Sequence, residues 1–559
     1  MNALQPSLGA GAWEIDLTHF PRPPSPICRS LYTTVFPAGL AEGMAQMGLL
    51  LETLQLKVAP GGYVYTQPKL VAAPAGAPPP PNFVLWLLSR LHPTLRARNR
   101  RVKEVIRRRA WREDADLFAE EVRPELMARH QALLAEDVRS MDDAALLNHI
   151  ERCHAALERA VFLHGRFTAA SQFPMGDLIV HVQQWTGASA PETLRLVAGH
   201  APTSAGRSPV FDALVEELRA QGIGLDEADA EPASILDGLL GAPGALGRLA
   251  REWVGQVGHR TVAAYDIAEP AAIEFPFLLV AALRAALSGR RPTDQRLVEE
   301  EAALRARVPQ AHREAFDGLL AEARKMSALR DERTLYADYW ATGILRRALL
   351  EAGRRLAEAG RIPTAEHLCF AELEEIRSLL RGQGGPDARA LEERVAARRP
   401  PTTPPPALFG ELHAPPSPDL FPAPTARAMR AVFAVLDAMF QDHGASDQPE
   451  ADAPVSGFAV SAGVYVGPVR LVKGPEDFHR IRPGDVLVTT MTSPTYNVIL
   501  PMLGALITDR GGALSHAAIV SREFGIPGVV GCRNATSRLQ DGQRVRVDGG
   551  AGTVTPVTL

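Results

Sequence analysis

Ten consecutive residues near the carboxyl end, Thr508 to Ala517, hold the side chains best suited to chemistry: Thr508, Asp509, Ser515 and His516 around the pair Gly511-Gly512. The apolar run Ala505 to Ile507 ahead of them reads as a strand. Gly511 and Gly512 let the backbone turn tightly or approach a ligand closely. Ser515 can cap a helix with His516 in its first turn, and Gly525, Ile526 and Pro527 form a helix stop. An imidazole at a helix start faces unsatisfied N–H groups and the positive end of the helix dipole. That setting suits an anion, so a phosphoryl group carried on the ring would find donors ready. The same field favours the neutral ring, and only the neutral ring has a lone pair with which to attack phosphorus. The residues alone also fit an ordinary capped helix whose histidine faces solvent.

Such a loop needs strands to hold it, and the chain after Val455 supplies them. Short β-type runs fall at Gly463 to Val472, Asp485 to Thr490, Ala505 to Thr508, Arg544 to Asp548 and Thr553 to Pro556, with Gly, Pro and Asp between them. Ser493-Pro494 reads as a cap and first turn for a helix ending at Leu503. Upstream, from Asn82, apolar residues recur at three- and four-residue spacing in Arg101 to Leu134, Asp142 to Phe162, Pro209 to Ala220, Leu297 to Leu329 and Thr334 to Ala359. These predict amphipathic helices, with one more over Pro363 to Arg381 capped by Thr364. The first eighty residues, rich in proline, predict extended chain with a helix within Leu40 to Val58. Ten prolines between Pro400 and Pro424 mark a linker, followed by a short helix over Thr425 to Phe440 and an acidic joint to Pro454. The expected organisation is multidomain: a mostly helical domain over 1–399, a linker over 400–454, and a C-terminal domain over 455–559.

Gly511-Gly512, Ser515-His516-Ala517-Ala518-Ile519-Val520, Arg522-Glu523 and Gly525 to Gly531 together resemble the phosphohistidine signature of the phosphoenolpyruvate-utilising enzymes, the family of phosphoenolpyruvate synthase, pyruvate phosphate dikinase and rifampin phosphotransferase. Gly463, Pro483 to Val488, and Asp541 through Asp548-Gly549 to Val554 extend the resemblance over roughly 100 residues in order. It implies a swivelling β/β/α domain in which His516 is the phosphorylated nucleophile, Gly511, Gly512, Ser515 and Ala517 form the phosphate loop, and Thr508 and Arg522 support it. Upstream, Trp13 to Pro23, Gly258-His259-Arg260 with Tyr265-Asp266-Ile267, and Arg330 to Arg333 with Tyr336 resemble the substrate domain of rifampin phosphotransferase-like proteins. His259, Arg260, Asp266, Arg330 and Glu332 are therefore candidates for an acceptor site. Structural salt bridges and caps fit the same residues.

The resemblance also implies a reaction. A dikinase-type phosphotransferase component would take a phosphoryl group from ATP onto His516, pass it to an oxygen of a small organic acceptor, and release AMP and phosphate overall. We expect ATP and magnesium to sit on a separate ATP-grasp subunit, because the chain begins at the acceptor side and ends with the mobile domain, without room for the phosphoenolpyruvate-binding barrel. No cofactor is expected to bind tightly to this chain. A phosphoenolpyruvate-dependent phosphocarrier and a catalytically degenerate scaffold are the competing classes.

Composition narrows the field further. Among 559 residues, 60 basic against 64 acidic side chains leave a net charge of -4, unsuited to a general polyanion binder. The basic run Arg96 to Arg109 is interleaved with apolar residues and followed by Glu113, Asp114 and Asp116, the pattern of a solvated helix face or an intramolecular contact. The four cysteines, Cys28, Cys153, Cys369 and Cys532, show no CxxC spacing, and His149 with Cys153 lacks a third ligand, so neither a disulfide scaffold nor a metal centre is expected. Tyr63 and Tyr65 read as packing residues. With no leader-like amino terminus and no long apolar span, we expect a cytoplasmic protein without a nucleic-acid or membrane partner.

Overall fold

The computed structural model of the protein describes residues 8–74, 76–197, 208–225, 231–262, 265–287, 294–399, 405–440, 454–492, 496 and 499–557. The chain forms two compact units. Unit 1 takes Met1–Ser171, His259–Ala271 and Arg333–Met429; unit 2 takes Gln172–Gly258, Ala272–Glu332 and Arg430–Leu559. Compactness thus does not follow the division at 399 and 455 read from the sequence. The reason is a shared core. Ala513 and Leu514, next to the histidine loop, are buried with Met175, Leu178, Phe316 and Leu320 from helices in the middle of the chain.

Unit 1 is helical apart from one antiparallel sheet. Its strands β1 (Trp13–Ile15), β2 (Leu51–Val58), β3 (Val64–Leu70) and β4 (Leu408–Phe409) lie in the order β2-β3-β1-β4. The segment expected to be extended with a helix at Leu40 to Val58 is instead a helix over Pro26–Met47 followed by β2. Pro26 takes the first turn, where its missing N–H costs nothing, and Gly48 at φ 74 closes the helix in the left-handed conformation. Part of the Pro-rich linker is likewise tied down: Phe409 and Leu408 pair with Trp13 and Glu14. The acidic stretch 441–453 and Ser493-Pro494 lie outside the described residues. Tyr63 and Tyr65 are buried beside Trp13, and the Tyr65 hydroxyl donates to the Pro406 carbonyl at 2.6 Å. Within the basic run, Arg98 and Arg101 donate to the Met44 and Gln46 carbonyls, and Arg107 and Arg108 pair with Glu104 and Glu113 on the exposed face.

Unit 2 combines helices with an eight-stranded sheet. Its strands β5 (Val455–Ser456), β6 (Phe458–Ser461), β7 (Val464–Leu471), β8 (Val486–Thr489), β9 (Ala505–Thr508), β10 (Gly528–Val530), β11 (Arg544–Asp548) and β12 (Thr553–Pro556) lie in the order β5-β12-β11-β7-β8-β9-β10-β6. From β7 through β10 neighbours are parallel, and the flanking pairs are antiparallel. Parallel strands bury both faces, which explains why Val486, Leu487, Val488, Leu506 and Ile507 are inaccessible in succession rather than alternating. This fold is the expected mixed sheet with short helices, and it brings the carboxyl ends of β8 and β9 side by side. In open parallel sheets that edge is where ligands bind.

Candidate active site

The loop leaving β9 is held by its own hydrogen bonds. The Thr508 hydroxyl donates to the Arg510 carbonyl at 2.7 Å, and the Asp509 and Arg510 N–H groups donate to the Thr489 and Thr490 carbonyls of the β8 end. The Asp509 carboxylate accepts from the Thr536 N–H at 2.9 Å and from the Thr536 hydroxyl. Gly511 has φ 116, and a Cβ there would come within 2.7 Å of Ser515 Oγ. Ser515 caps the helix His516–Glu523 by accepting from the Ala518 N–H at 3.3 Å. Of the residues expected in a phosphate loop, Gly511 and Ser515 thus shape the turn. Gly512 and Ala517 are buried packing positions.

His516 is the first residue of that helix and is half-buried. Its Nδ1 lies 2.8 Å from the Thr492 hydroxyl, which arrives from the neighbouring strand β8 three residues past its end. Its Nε2 is buried and, among the described residues, has no hydrogen-bond partner. Burial, and then the charge of Arg330, push the ring's pKa down to about 3. The imidazole is therefore neutral at physiological pH. When Nδ1 carries the hydrogen donated to Thr492, the lone pair falls on Nε2, the nitrogen of a nucleophile.

The titration has a definite sign. The folded-state pKa lies below the ordinary 6.5, so the unfolded chain binds the proton more readily. The stability this contributes is complete above about pH 6.5 and is lost as pH falls toward 3. Removing the nearby charge with Arg330→Gln is expected to raise the His516 pKa, read by NMR titration of the ring; an unchanged value would remove Arg330 from the site.

Arg522 lies in the last turn of the same helix, buried, with Nε and Nη1 lacking partners among the described residues. Burial, and then the charges of Arg330 and Arg195, bring its pKa down to about 9, with Glu523 opposing. A cavity of about 20 Å³, room for one water, is lined by Arg522, Glu523, Arg330, Asp331, Leu514 and Ile519. Unit 2 therefore gathers Arg330 and Arg522, 192 positions apart in sequence, around the helix that carries His516. Glu332 is half-buried in the last turn of the helix Arg313–Arg333.

The remaining acceptor candidates belong to unit 1. Arg260 lies over the rings of Tyr336 and Trp340, its centre 5.3 and 5.9 Å from their centroids. The His259 carbonyl packs where a Cβ on Gly343 would sit. Asp266 is structural: its carboxylate accepts from the Ser25 N–H at 2.7 Å and the Ala268 N–H at 2.8 Å. The five sequence-based candidates are thus divided between the units, three in unit 1 and two in unit 2. His149 is bound to Glu136 at 3.1 Å. Among the described residues no group of three or more His, Cys, Asp or Glu side chains is placed to hold a metal, and no helix is long and apolar enough to cross a membrane.

Thr492 is the site residue that sequence reasoning missed. The available signal was a hydroxyl just past a strand adjacent to the one feeding His516, a relation that exists only once β8 and β9 are known to be parallel neighbours. Thr492→Val keeps the shape and removes the hydrogen bond. It is expected to slow phosphorylation of the ring by about tenfold or more, the scale of an orienting partner. Imidazole nitrogen NMR shifts of the variant would report the tautomer, and an unaltered tautomer with unaltered rate would show that Thr492 plays no part.

Residues 481–552 match the family described as PEP-utilising enzyme, mobile domain. The uncharacterised phosphotransferase YvkC of Bacillus subtilis is 30% identical over 315 residues, 55% of this chain and 36% of that protein. Rifampicin phosphotransferase of Streptomyces sviceus is 27% identical over 396 residues, 67% of this chain and 42% of its own length. Phosphoenolpyruvate synthase of Escherichia coli is 47% identical over 91 residues, 16% of this chain and 12% of that one. The chain spans less than half the length of each of these relatives.

Proposed function

We propose, for a chain that carries the mobile domain of the PEP-utilising enzymes, that it is a dikinase-type phosphotransferase component working through His516. Phosphotransfer is the family-level activity; the relay and its partner are our reading. The observation that carries it is the ring itself: neutral, fixed by Thr492 through Nδ1, with an Nε2 that no described residue partners, at the start of a helix.

A separate ATP-grasp polypeptide would hold ATP and magnesium. In-line attack by Nε2 on the β phosphorus forms the N–P bond and expels AMP; loss of the terminal phosphate to water leaves one phosphoryl group on the ring. An acceptor oxygen then attacks that phosphorus, and the N–P electron pair returns to His516. AMP and phosphate are the by-products overall. Because Nε2 is enclosed in the described arrangement, charging requires the mobile domain to leave it. Arg330 and Arg522 can offset the phosphoryl charge when the domain returns.

The test is to incubate the chain with an ATP-grasp protein and ATP labelled at the β phosphate, or with labelled phosphoenolpyruvate and a barrel-bearing partner. The expected product is protein-bound label that is acid-labile and base-stable, formed from ATP. Label from phosphoenolpyruvate alone would instead make the chain a phosphocarrier, and no label from either donor would make it a scaffold.

A further inference from the structure

Unit 1 holds a second constellation that the phosphohistidine chemistry leaves unused. A π-helical turn, Thr334–Tyr339, buries Asp338 completely; such turns recur at functional sites. Asp338 Oδ2 lies 2.6 Å from Nδ1 of His164 and accepts from the Tyr32 hydroxyl at 3.2 Å. Its Oδ1 is buried with no hydrogen-bond partner among the described residues. An orphaned carboxylate oxygen is costly to bury and marks a place for a polar hydrogen of a ligand or water. His164 spends Nδ1 on Asp338, and among the described residues no hydrogen bond occupies its Nε2.

Aromatic rings enclose this pair. Tyr265 is the hub, with ring centroids 5.6 Å from His164, 5.7 Å from Tyr32, 5.0 Å from Tyr339 and 6.0 Å from His19. Phe36 adds an edge contact to His164 at 5.7 Å. The nest reaches the surface at His19, whose side chain is 35% exposed. Its supporting loop is clamped from several sides: the Thr261 N–H donates to the Tyr339 carbonyl at 3.1 Å, Arg346 donates to the Ile267 carbonyl at 3.0 Å, and Asp266 accepts from Ser25.

Charge limits what the nest can take. Asp338 and Asp16 place carboxylates within it, and Arg333 donates to the His164 carbonyl at 2.9 Å and the Thr168 hydroxyl at 3.0 Å. The carboxylates disfavour an acidic acceptor, and ring faces favour a neutral aromatic one.

We propose that this nest is the acceptor site, that it takes a hydroxyl borne on an aromatic framework, and that His164, oriented by Asp338, is its general base. This rests on the phosphotransfer reading above. The acceptor O–H gives its proton to His164 Nε2 as the oxygen attacks the phosphorus of phosphorylated His516. The N–P bond breaks with its electron pair returning to His516, and Asp338 stabilises the imidazolium formed at His164. Burial and Arg333 hold the His164 pKa below its ordinary value against the pull of Asp338, so the base is free at neutral pH.

The experiment separates charging from discharge in the full chain. His516 is labelled with the ATP-grasp partner, the partner is removed, and loss of label is followed with phenol, 2-naphthol or pyruvate. Phenol and 2-naphthol are expected to discharge the protein and pyruvate not. His164→Gln should slow discharge about 10²- to 10⁴-fold, the worth of a general base, and abolish its rise with pH, which Asp338, Arg333, His19 and the three tyrosines set in the native protein. Charging at the native rate shows that the variant is folded. Quenching of 2-naphthol fluorescence by uncharged protein, weakened in Tyr265→Ala, tests the site even if His516 never labels, an outcome that would fail the phosphohistidine reading separately. Equal discharge by His164→Gln, discharge by pyruvate alone, or no 2-naphthol binding would overturn the inference.

Discussion

His516→Ala is expected to bring protein-bound label to background and to lower acceptor phosphorylation by on the order of 10⁴-fold or more, the scale on which loss of a nucleophile acts. The loss should be chemical rather than structural. His516 is half-buried and among the described residues its ring has one hydrogen-bond partner, Thr492, so truncation removes little packing. The helix keeps its cap, because Ser515 bonds to Ala518 and not to the ring. Unfolding temperature at pH 7 is therefore expected to stay within a few degrees of the native value. A second signature follows from the depressed pKa. In the native protein the charging rate should show no acid limb at the ordinary histidine value of 6.5, since the ring loses its lone pair only toward pH 3. A rate that falls by half near pH 6.5, or label that survives in His516→Ala, would place the nucleophile elsewhere.

Gly512→Ala is expected to cost about 1–3 kcal/mol, the range for forcing extra volume into a packed site. A Cβ at Gly512 would stand 2.4 Å from the Ala438 carbonyl oxygen and 3.1 Å from that of Met439. Both are backbone atoms near the end of the helix Ala423–Phe440, and the Ala438 carbonyl also accepts from the Leu514 N–H at 3.1 Å. Neither can yield without disturbing the turn into His516. The variant should unfold at lower temperature and be cut more readily by protease in the loop. Gly255→Ala is the comparison of opposite sign. That glycine sits in the helix Gly244–Val257 with open space where a Cβ would go, so alanine is expected to stabilise by about 0.5–1 kcal/mol. If Gly512→Ala matched it, the loop would not be anchored to that helix.

Local signals fixed much of the mobile domain. Ala505 to Thr508, Arg544 to Asp548 and Thr553 to Pro556 are strands with the bounds read from their composition, and Ser515 caps the helix that His516 opens. Each depends on neighbours within a few residues: apolar runs, turn formers, a hydroxyl before a helix. The three short strands β5, β6 and β10, at Val455–Ser456, Phe458–Ser461 and Gly528–Val530, escape because two to four residues display no period. The helix Pro26–Met47 is hidden because proline signals a break in local sequence, whereas here one of them occupies the first turn.

What chain order could not convey was partnership. The sequence by itself specified a histidine at a helix start behind a glycine pair, and with it the kind of chemistry to expect. It did so because caps, turns and dipoles are properties of adjacent residues. Only the tertiary structure decided that Thr492 meets Nδ1, that Arg330 bears on the ring from a helix far upstream, and that Asp338 meets His164 across 174 positions. Those relations arise when the buried faces of distant elements pack together, and burial is also what strips the His516 ring of its proton.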